Sequence, residues 1–264
     1  MNTPTLSYLE TLARQAGEIL RAGFGHENKV YFKGDIDLVT DVDRKSEALL
    51  IDQINRYFPD QRIVAEESGR SAGEATCTWF IDPLDGTVNY AHGLPGFAVS
   101  IGYSENDIMR LGVVYDPVRE ECFSAERERG AWLNGQPIRV SAAASLDQSL
   151  LVTGFAYDIR TNPKNNLDHF TYFMLHSQGV RRFGAAALDL CYVACGRLDG
   201  YWEIALSPWD VAAGGLIAEM AGGSLSAVSG DPFYIKEPCS ILAAAPLIYP
   251  QMLDVLRDNS NGKK

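Results

Sequence analysis

Asp82 and Asp85 stand three residues apart in the segment Asp82-Pro-Leu-Asp-Gly-Thr-Val-Asn89. Two carboxylates confined to so small a volume repel one another or raise one another's pKa unless a cation neutralises them. An all-oxygen pair suits Mg²⁺ or Mn²⁺ rather than zinc. Gly86 lets backbone approach a ligand closely, and the N–H groups of such a turn can hold a phosphate beside the metal. More acids gather at Glu66-Glu67-Ser68, where a short strand over Ile63–Ala65 ends, and at Asp210, in the first turn of a helix opened by Ser207-Pro208, where the helix dipole tolerates an anion. A polar turn after a strand can carry the letters D-x-x-D-G without any chemistry. Recurrence of acids at the ends of separate elements is what favours a shared site.

The elements that must position these residues follow from periodicity and punctuation. Thr78–Ile81, apolar and aromatic, predicts a buried strand delivering Asp82, and Pro83 is expected to turn the chain into a short loop. An amphipathic helix is predicted over 4–22 and another over 44–58, with Ala48, Leu49, Ile51, Ile54 and Phe58 facing inward and Pro59 as the stop. Between them, Lys33 to Asp43 reads as a polar loop crowded with carboxylates. Antiparallel strands are expected over 97–103, 111–115 and 121–125. A hairpin at Asn134-Gly135 should join 131–133 to 138–140. The Ala- and Ser-rich run over 141–149 suggests a boundary between an N-terminal lobe, 1–145, and a C-terminal lobe, 146–264. The second half alternates strands (150–153, 180–183, 201–204, 241–244) with helices (166–178, 186–195, 208–221, 250–257), and 259–264 should fray. The fold class is mixed α-β, with an antiparallel first sheet and a mixed second one.

Composition narrows the function. With 23 Lys plus Arg against 34 Asp plus Glu in 264 residues, the net charge of −11 argues against a nucleic-acid surface. No signal-type segment and no run of 18 apolar residues is present, so a cytoplasmic protein with no membrane association is expected. The five cysteines lack zinc-ribbon spacing, which predicts reduced, mostly buried thiols. His26, His92, His169 and His176 show no ligand spacing.

Taken together, Glu66-Glu67-Ser68, Asp82-Pro-Leu-Asp-Gly-Thr-Val-Asn89 and Trp209-Asp210-Val-Ala-Ala-Gly214 resemble the acidic signatures of the inositol monophosphatase family, Mg²⁺-dependent and lithium-sensitive phosphomonoesterases. Asp37-Leu-Val-Thr40 with Asp43, the Gly184-Ala-Ala-Ala187 segment and Glu203 extend the resemblance over nearly the whole chain. It implies a layered α-β-α-β-α sandwich and a metal set of Glu66, Asp82, Asp85, Asp210 and the Leu84 carbonyl for two Mg²⁺. A third, weaker ion would sit near Glu66 with help from Glu67, and Mn²⁺ is a possible substitute. Catalytic roles fall to Glu66 and to Thr87, hydrogen-bonded to Asp43, which would orient and deprotonate the attacking water. Substrate contacts fall to Leu84, Asp85, Gly86, Thr87, Gly184, Ala185, Ala186, Glu203 and Asp210. The implied reaction is hydrolysis of a small phosphate ester, inositol monophosphate or a related polyol phosphate, by metal-activated water in an in-line displacement, and the implied assembly is a homodimer.

Three other readings are weighed. A haloacid-dehalogenase-type phosphatase would need its nucleophile where Pro83 stands. Relatives acting on fructose bisphosphate, histidinol phosphate or phosphoadenosine phosphate share the same metal core; Val88-Asn89-Tyr90 with His92 and Pro95 resembles the inositol and general sugar-phosphate branch more than the nucleotide branch, where a Lys commonly follows the Gly-Thr. A non-catalytic interaction protein keeping the fold would not need so many mutually repelling carboxylates.

Overall fold

The computed structural model describes residues 3–26, 30–32, 38–163 and 165–258. Lys33 to Asp37, including the Asp37 of the resemblance, and the expected fraying tail 259–264 lie outside them.

Among the described residues three sheets form. A two-stranded hairpin pairs β1 (Val30–Phe32) with β2 (Leu38–Thr40). The large sheet contains β3 (Gln61–Ala65), β4 (Gly69–Arg70), β5 (Glu74–Asp85), β6 (Ala98–Glu105), β7 (Ile108–Asp116), β8 (Glu121–Glu126), β9 (Gly130–Leu133) and β10 (Gln136–Pro137), in the order β10-β9-β8-β7-β6-β5-β3-β4. It is antiparallel except where β3 runs parallel to β5. The smaller sheet contains β11 (Leu150–Thr153), β12 (Gly179–Arg181), β13 (Gly200–Leu206), β14 (Ser224–Ser226) and β15 (Cys239–Ala244), mixed and ordered β12-β11-β13-β15-β14.

The helices are α1 (Leu6–Gly23), α2 (Asp41–Tyr57), α3 (Thr87–Ala91), α4 (Leu167–His176), α5 (Ala186–Ala194), α6 (Pro208–Met220) and α7 (Tyr249–Asp258). They sort by apolar face. α1 buries the stripe Leu9, Leu12, Ala13, Ala16 and Leu20 and, with α2, covers one face of the large sheet over Trp79, Ile81 and Tyr103. α6 is buried nearly all round, from Val211 through Ala218, the pattern of a helix with no solvent face. Together with α5 it lies between the two sheets. α4 and α7 cover the outer face of the smaller sheet against Trp202, Phe173 and Met252. The result is the expected α-β-α-β-α sandwich.

Several local readings need correction. Residues 38–43 are not loop: Leu38–Thr40 is a strand and Asp41 starts α2, capped by a Thr40–Asp43 box. Ala48 is exposed rather than inward, because the buried stripe of α2 runs through Val42, Asp43, Ser46, Glu47, Leu50 and Ile54. The hairpin at Asn134-Gly135 returns first through Gln136–Pro137, and the Ile138 N–H still donates to the Ala131 carbonyl at 3.0 Å. All five cysteines are free, and Cys77, Cys122, Cys191 and Cys239 are buried. Among the described residues no helix is long and apolar enough to cross a membrane.

Candidate active site

β5 carries the central motif, and it does so differently from the expected strand-then-loop. Its pairing with β6 runs in step from Cys77 to Asp82, shifts, and resumes where Asp85 pairs with Ala98. Pro83 has no N–H to give the ladder, which places the irregularity there. The Pro83 carbonyl instead accepts the Ser46 hydroxyl of α2 at 2.9 Å, and Asp82 Oδ1 accepts the Leu84 N–H at 3.0 Å. The turn comes at Gly86, whose φ of +90° places it in the left-handed region; a Cβ there would lie 2.7 Å from the Gly96 carbonyl oxygen. Thr87 then opens α3.

Each acid of the cluster is fixed by backbone. Glu66 extends the β3–β5 pairing through its N–H to the Ile81 carbonyl at 3.1 Å. Asp85 accepts the Ala186 and Ala187 N–H groups at 3.1 and 2.8 Å, so a carboxylate from the large sheet caps the start of α5, where the dipole favours an anion. Asp210 accepts the Ser207 N–H at 2.7 Å and so closes the capping box of α6. Glu66, Asp82, Asp85, Asp210, Leu84, Gly86 and Thr87 line one cavity of about 440 Å³. Glu67 and Asp43 do not line it; the Glu67 N–H is bound to Glu47 Oε2 at 2.9 Å.

Burial and mutual repulsion dominate the electrostatics. Burial first, then Glu66, Asp85 and Asp210, hold the Asp82 carboxyl well above the usual carboxylate range. Burial pushes Asp85 up to about 6 against the opposing pull of the α5 N–H groups, and it raises Asp210 well above its ordinary value. No three His, Cys, Asp or Glu side chains among the described residues are already closed to coordination spacing. The donor chemistry nonetheless fits a hard divalent cation. The donors are all oxygen, and a 2+ charge would relieve the repulsion that raises these carboxyls.

Thr87 sits beside this cluster. Its Oγ1 lies 3.2 Å from Asp43 Oδ1 and 3.0 Å from the Leu84 carbonyl oxygen. Asp43 Oδ2 accepts the Thr40 N–H at 2.9 Å and the Thr40 hydroxyl at 2.5 Å. Burial raises the Asp43 carboxyl, with these two bonds acting against it.

The opposite wall comes from the smaller sheet and its loops. Glu203 on β13 accepts the Tyr201 hydroxyl at 2.6 Å, and burial brings its carboxyl up to about 7. Gly154 leaves the room for it, since a Cβ there would overlap the Glu203 carboxylate. Beyond Glu203, the ladder with β15 shifts at Ala205, which takes a φ of +59° and re-aims the chain into Ser207 and α6. Gly184, Ala185 and Ala186 line this wall, as do Phe155 to Tyr157, Ile159, Trp209 and Arg182. Asn89 ties α3 to it, its side-chain amide donating to the carbonyls of Gly96 and Phe183 at 2.7 and 2.8 Å.

Three residues near the site escape a reading from sequence. Glu47 lies four residues after Asp43 on one face of α2, a spacing that could have flagged it. Asp189 is buried in α5, its Oδ1 without a hydrogen-bond partner, and burial holds its carboxyl well above the usual range. Nothing in the apolar sequence around Asp189 signals that. Arg182 stands two residues before Gly184, but lone arginines carry no motif.

Comparison with known proteins bears on all of this. The inositol monophosphatase family model matches residues 1–260. A Synechocystis protein named inositol-1-monophosphatase is 50% identical over 244 residues, covering 91% of this chain and 84% of its own. An Escherichia coli protein named Nus factor SuhB is 40% identical over 258 residues, 97% of this chain and 96% of its own. The solved inositol monophosphatase of Anabaena superposes with a TM-score of 0.86 at 44% identity, covering 96% of this chain and 95% of that one.

Proposed function

Because the chain belongs to the inositol monophosphatase family, we propose that its cavity hydrolyses phosphate monoesters of inositol or a related polyol. The observation that carries this reading is that Thr87, hydrogen-bonded to Asp43 behind it, lines the same cavity as Glu66, Asp82, Asp85 and Asp210.

The family is generally Mg²⁺-dependent. Glu66, Asp82, Asp85, Asp210 and the Leu84 carbonyl would hold the ions, two with a weaker third helped by Glu67. Bound metal supplies charge neutralisation of the phosphate and a lowered pKa for coordinated water. The chain's own residues do the rest. Thr87 Oγ1 takes a proton from the attacking water as its own passes to Asp43 Oδ1, whose burial raises its proton affinity. N–H groups of Gly86 and Thr87 face the equatorial phosphate oxygens. Glu203 and the Gly184–Ala186 backbone receive the hydroxyls of the leaving polyol, which departs as the water oxygen bonds to phosphorus and the P–O ester bond breaks, and takes its proton from solvent water.

The test is phosphate release from inositol 1-phosphate with Mg²⁺ against the same assay in excess EDTA. Release only with metal supports the reading, whereas full activity in chelator sinks it. Inhibition by lithium, Mn²⁺ as a substitute, a homodimer, a cytoplasmic setting and lobes 1–145 and 146–264 closing on the cavity belong to the same reading. A second reading, a binding protein that keeps the fold, is favoured by the name of the Escherichia coli relative. Metal binding without turnover on a broad ester panel would select it.

A further inference from the structure

We propose that Glu47 is a positioning residue for the metal centre: its carboxylate holds the Glu66-Glu67 turn against α2, and divalent-cation affinity depends on that hold. The inference rests on the phosphatase reading and adds to it a residue that does not itself line the cavity.

α2 turns a short polar stripe toward the large sheet within a buried face that is otherwise apolar. Asp43, Ser46 and Glu47 stand at i, i+3 and i+4 and are all buried, Glu47 at 5% exposure. Each reaches a different point of the acid-bearing segments. Asp43 accepts the Thr87 hydroxyl at 3.2 Å, the Ser46 hydroxyl donates to the Pro83 carbonyl at 2.9 Å, and Glu47 Oε2 accepts the Glu67 N–H at 2.9 Å. The first two bonds seat α2 on the segment that carries Asp85, and the third seats it on the turn that carries Glu66. One helix thus sets the spacing between acids delivered by two different strands.

The hold on Glu66 comes from both sides. Its own N–H extends the β3–β5 pairing to the Ile81 carbonyl at 3.1 Å, and the next N–H in the chain is the one that Glu47 accepts. The peptide between Glu66 and Glu67 cannot rotate without breaking a bond, which keeps the Glu66 side chain on the cavity beside Asp82. Mg²⁺ demands near-ideal octahedral geometry, so a turn free to swing would weaken the ion's binding. Two competing roles are plain support of the fold, since a buried carboxylate is retained only where it is hydrogen-bonded, and plain negative charge near the ions.

Mg²⁺ titration separates the three. Tm is followed against Mg²⁺ concentration, without substrate, in the wild type, Glu47→Ala and Glu47→Gln, and the Mg²⁺ needed for half-maximal phosphate release from inositol 1-phosphate is measured beside it. In Glu47→Ala both midpoints should move to higher Mg²⁺, on the order of tenfold or more, the scale for groups that orient metal ligands. Glu47→Gln keeps an acceptor for the Glu67 N–H without the charge, and its midpoints should shift far less, within about threefold of the wild type. If Glu47→Ala does not fold, Glu47→Asp, whose carboxylate is drawn back by one methylene, is expected to shift in its place. A variant with lowered Tm in chelator but wild-type Mg²⁺ midpoints overturns the inference in favour of fold support, and a shift in Glu47→Gln equal to that in Glu47→Ala overturns it in favour of charge. A wild type whose Tm does not respond to Mg²⁺ overturns it as well. A wild type that responds to Mg²⁺ but releases no phosphate overturns the phosphatase reading and leaves the Tm comparison to decide the role of Glu47.

Discussion

The two sides of the cavity are built by different means. On the acidic side, Asp82, Asp85 and Asp210 each accept a backbone N–H, from Leu84, from Ala186 and Ala187, and from Ser207. Their positions are set by a strand irregularity and two helix starts, which side-chain substitution elsewhere does not move. On the polyol side, Glu203 is held by the Tyr201 hydroxyl and by the absence of a side chain at Gly154, and Arg182 is exposed. Side chains are replaced more easily than backbone. The contrast implies that chemistry is anchored and selectivity adjustable within one cavity.

The largest effect should come from Thr87→Ala, which removes the hydroxyl proposed to relay the water's proton to Asp43. Turnover is expected to fall by about 10² to 10⁴ with KM within a few-fold. Steady-state kinetics on any good substrate read this, and an unchanged kcat would remove Thr87 from the mechanism and blur the division between the two sides.

Gly154→Ala probes the other side. The new methyl must displace the Glu203 carboxylate, so efficiency on inositol 1-phosphate should fall on the order of tenfold, about the loss of one hydrogen bond to a charged group. Phenyl phosphate, which has no hydroxyls to place, should be hydrolysed as before. Equal losses on both would show that the wall supports the chemistry as well.

A smaller effect concerns stability. Asp85 and Glu203 have folded-state carboxyls raised to about 6 and about 7. Between their ordinary values and these, the folded chain binds more protons than the unfolded one, so their contribution to stability is complete at low pH and is lost as pH rises through the raised pKa. In chelator, Tm should decline from pH 5 to pH 7.5 on their account. Added Mg²⁺ should raise Tm more at pH 7.5, where the carboxylates are charged, than at pH 5. Asp85→Asn should flatten the decline in chelator. A decline as steep as that of the wild type would deny that this carboxyl is strained by burial.

Much of this architecture is legible in the sequence, for identifiable reasons. The α1 stripe, the strands around Trp79 and Tyr103 and the start of α6 at Ser207-Pro208 follow local rules of periodicity and capping. The acids are legible as well, because Asp82 and Asp85 share a motif and Asp210 opens a helix. What escapes depends on distant partners. Pro83 reads as a loop residue, yet β6 and the Ser46 hydroxyl keep it in a strand with a shifted register. Asp43 reads as loop because the pairing of Leu38–Thr40 with Val30–Phe32 has no local sign. Asp85 as the cap of α5, about a hundred residues away in the chain, and the buried Asp189 are visible only once the two sheets are packed around α5 and α6.

The separation of the two sides is tested most directly by comparing Asp210→Asn with Glu203→Gln, each an isosteric loss of one charge. For each variant, kcat/KM is measured on inositol 1-phosphate and on phenyl phosphate and expressed relative to wild type. Asp210→Asn should lower both values together, on the order of 10²-fold. Glu203→Gln should lower the inositol ester about tenfold or more and leave phenyl phosphate nearly unchanged. Equal losses for Glu203→Gln, or a substrate-selective loss for Asp210→Asn, would contradict the division of the cavity into an anchored chemical side and an adjustable polyol side.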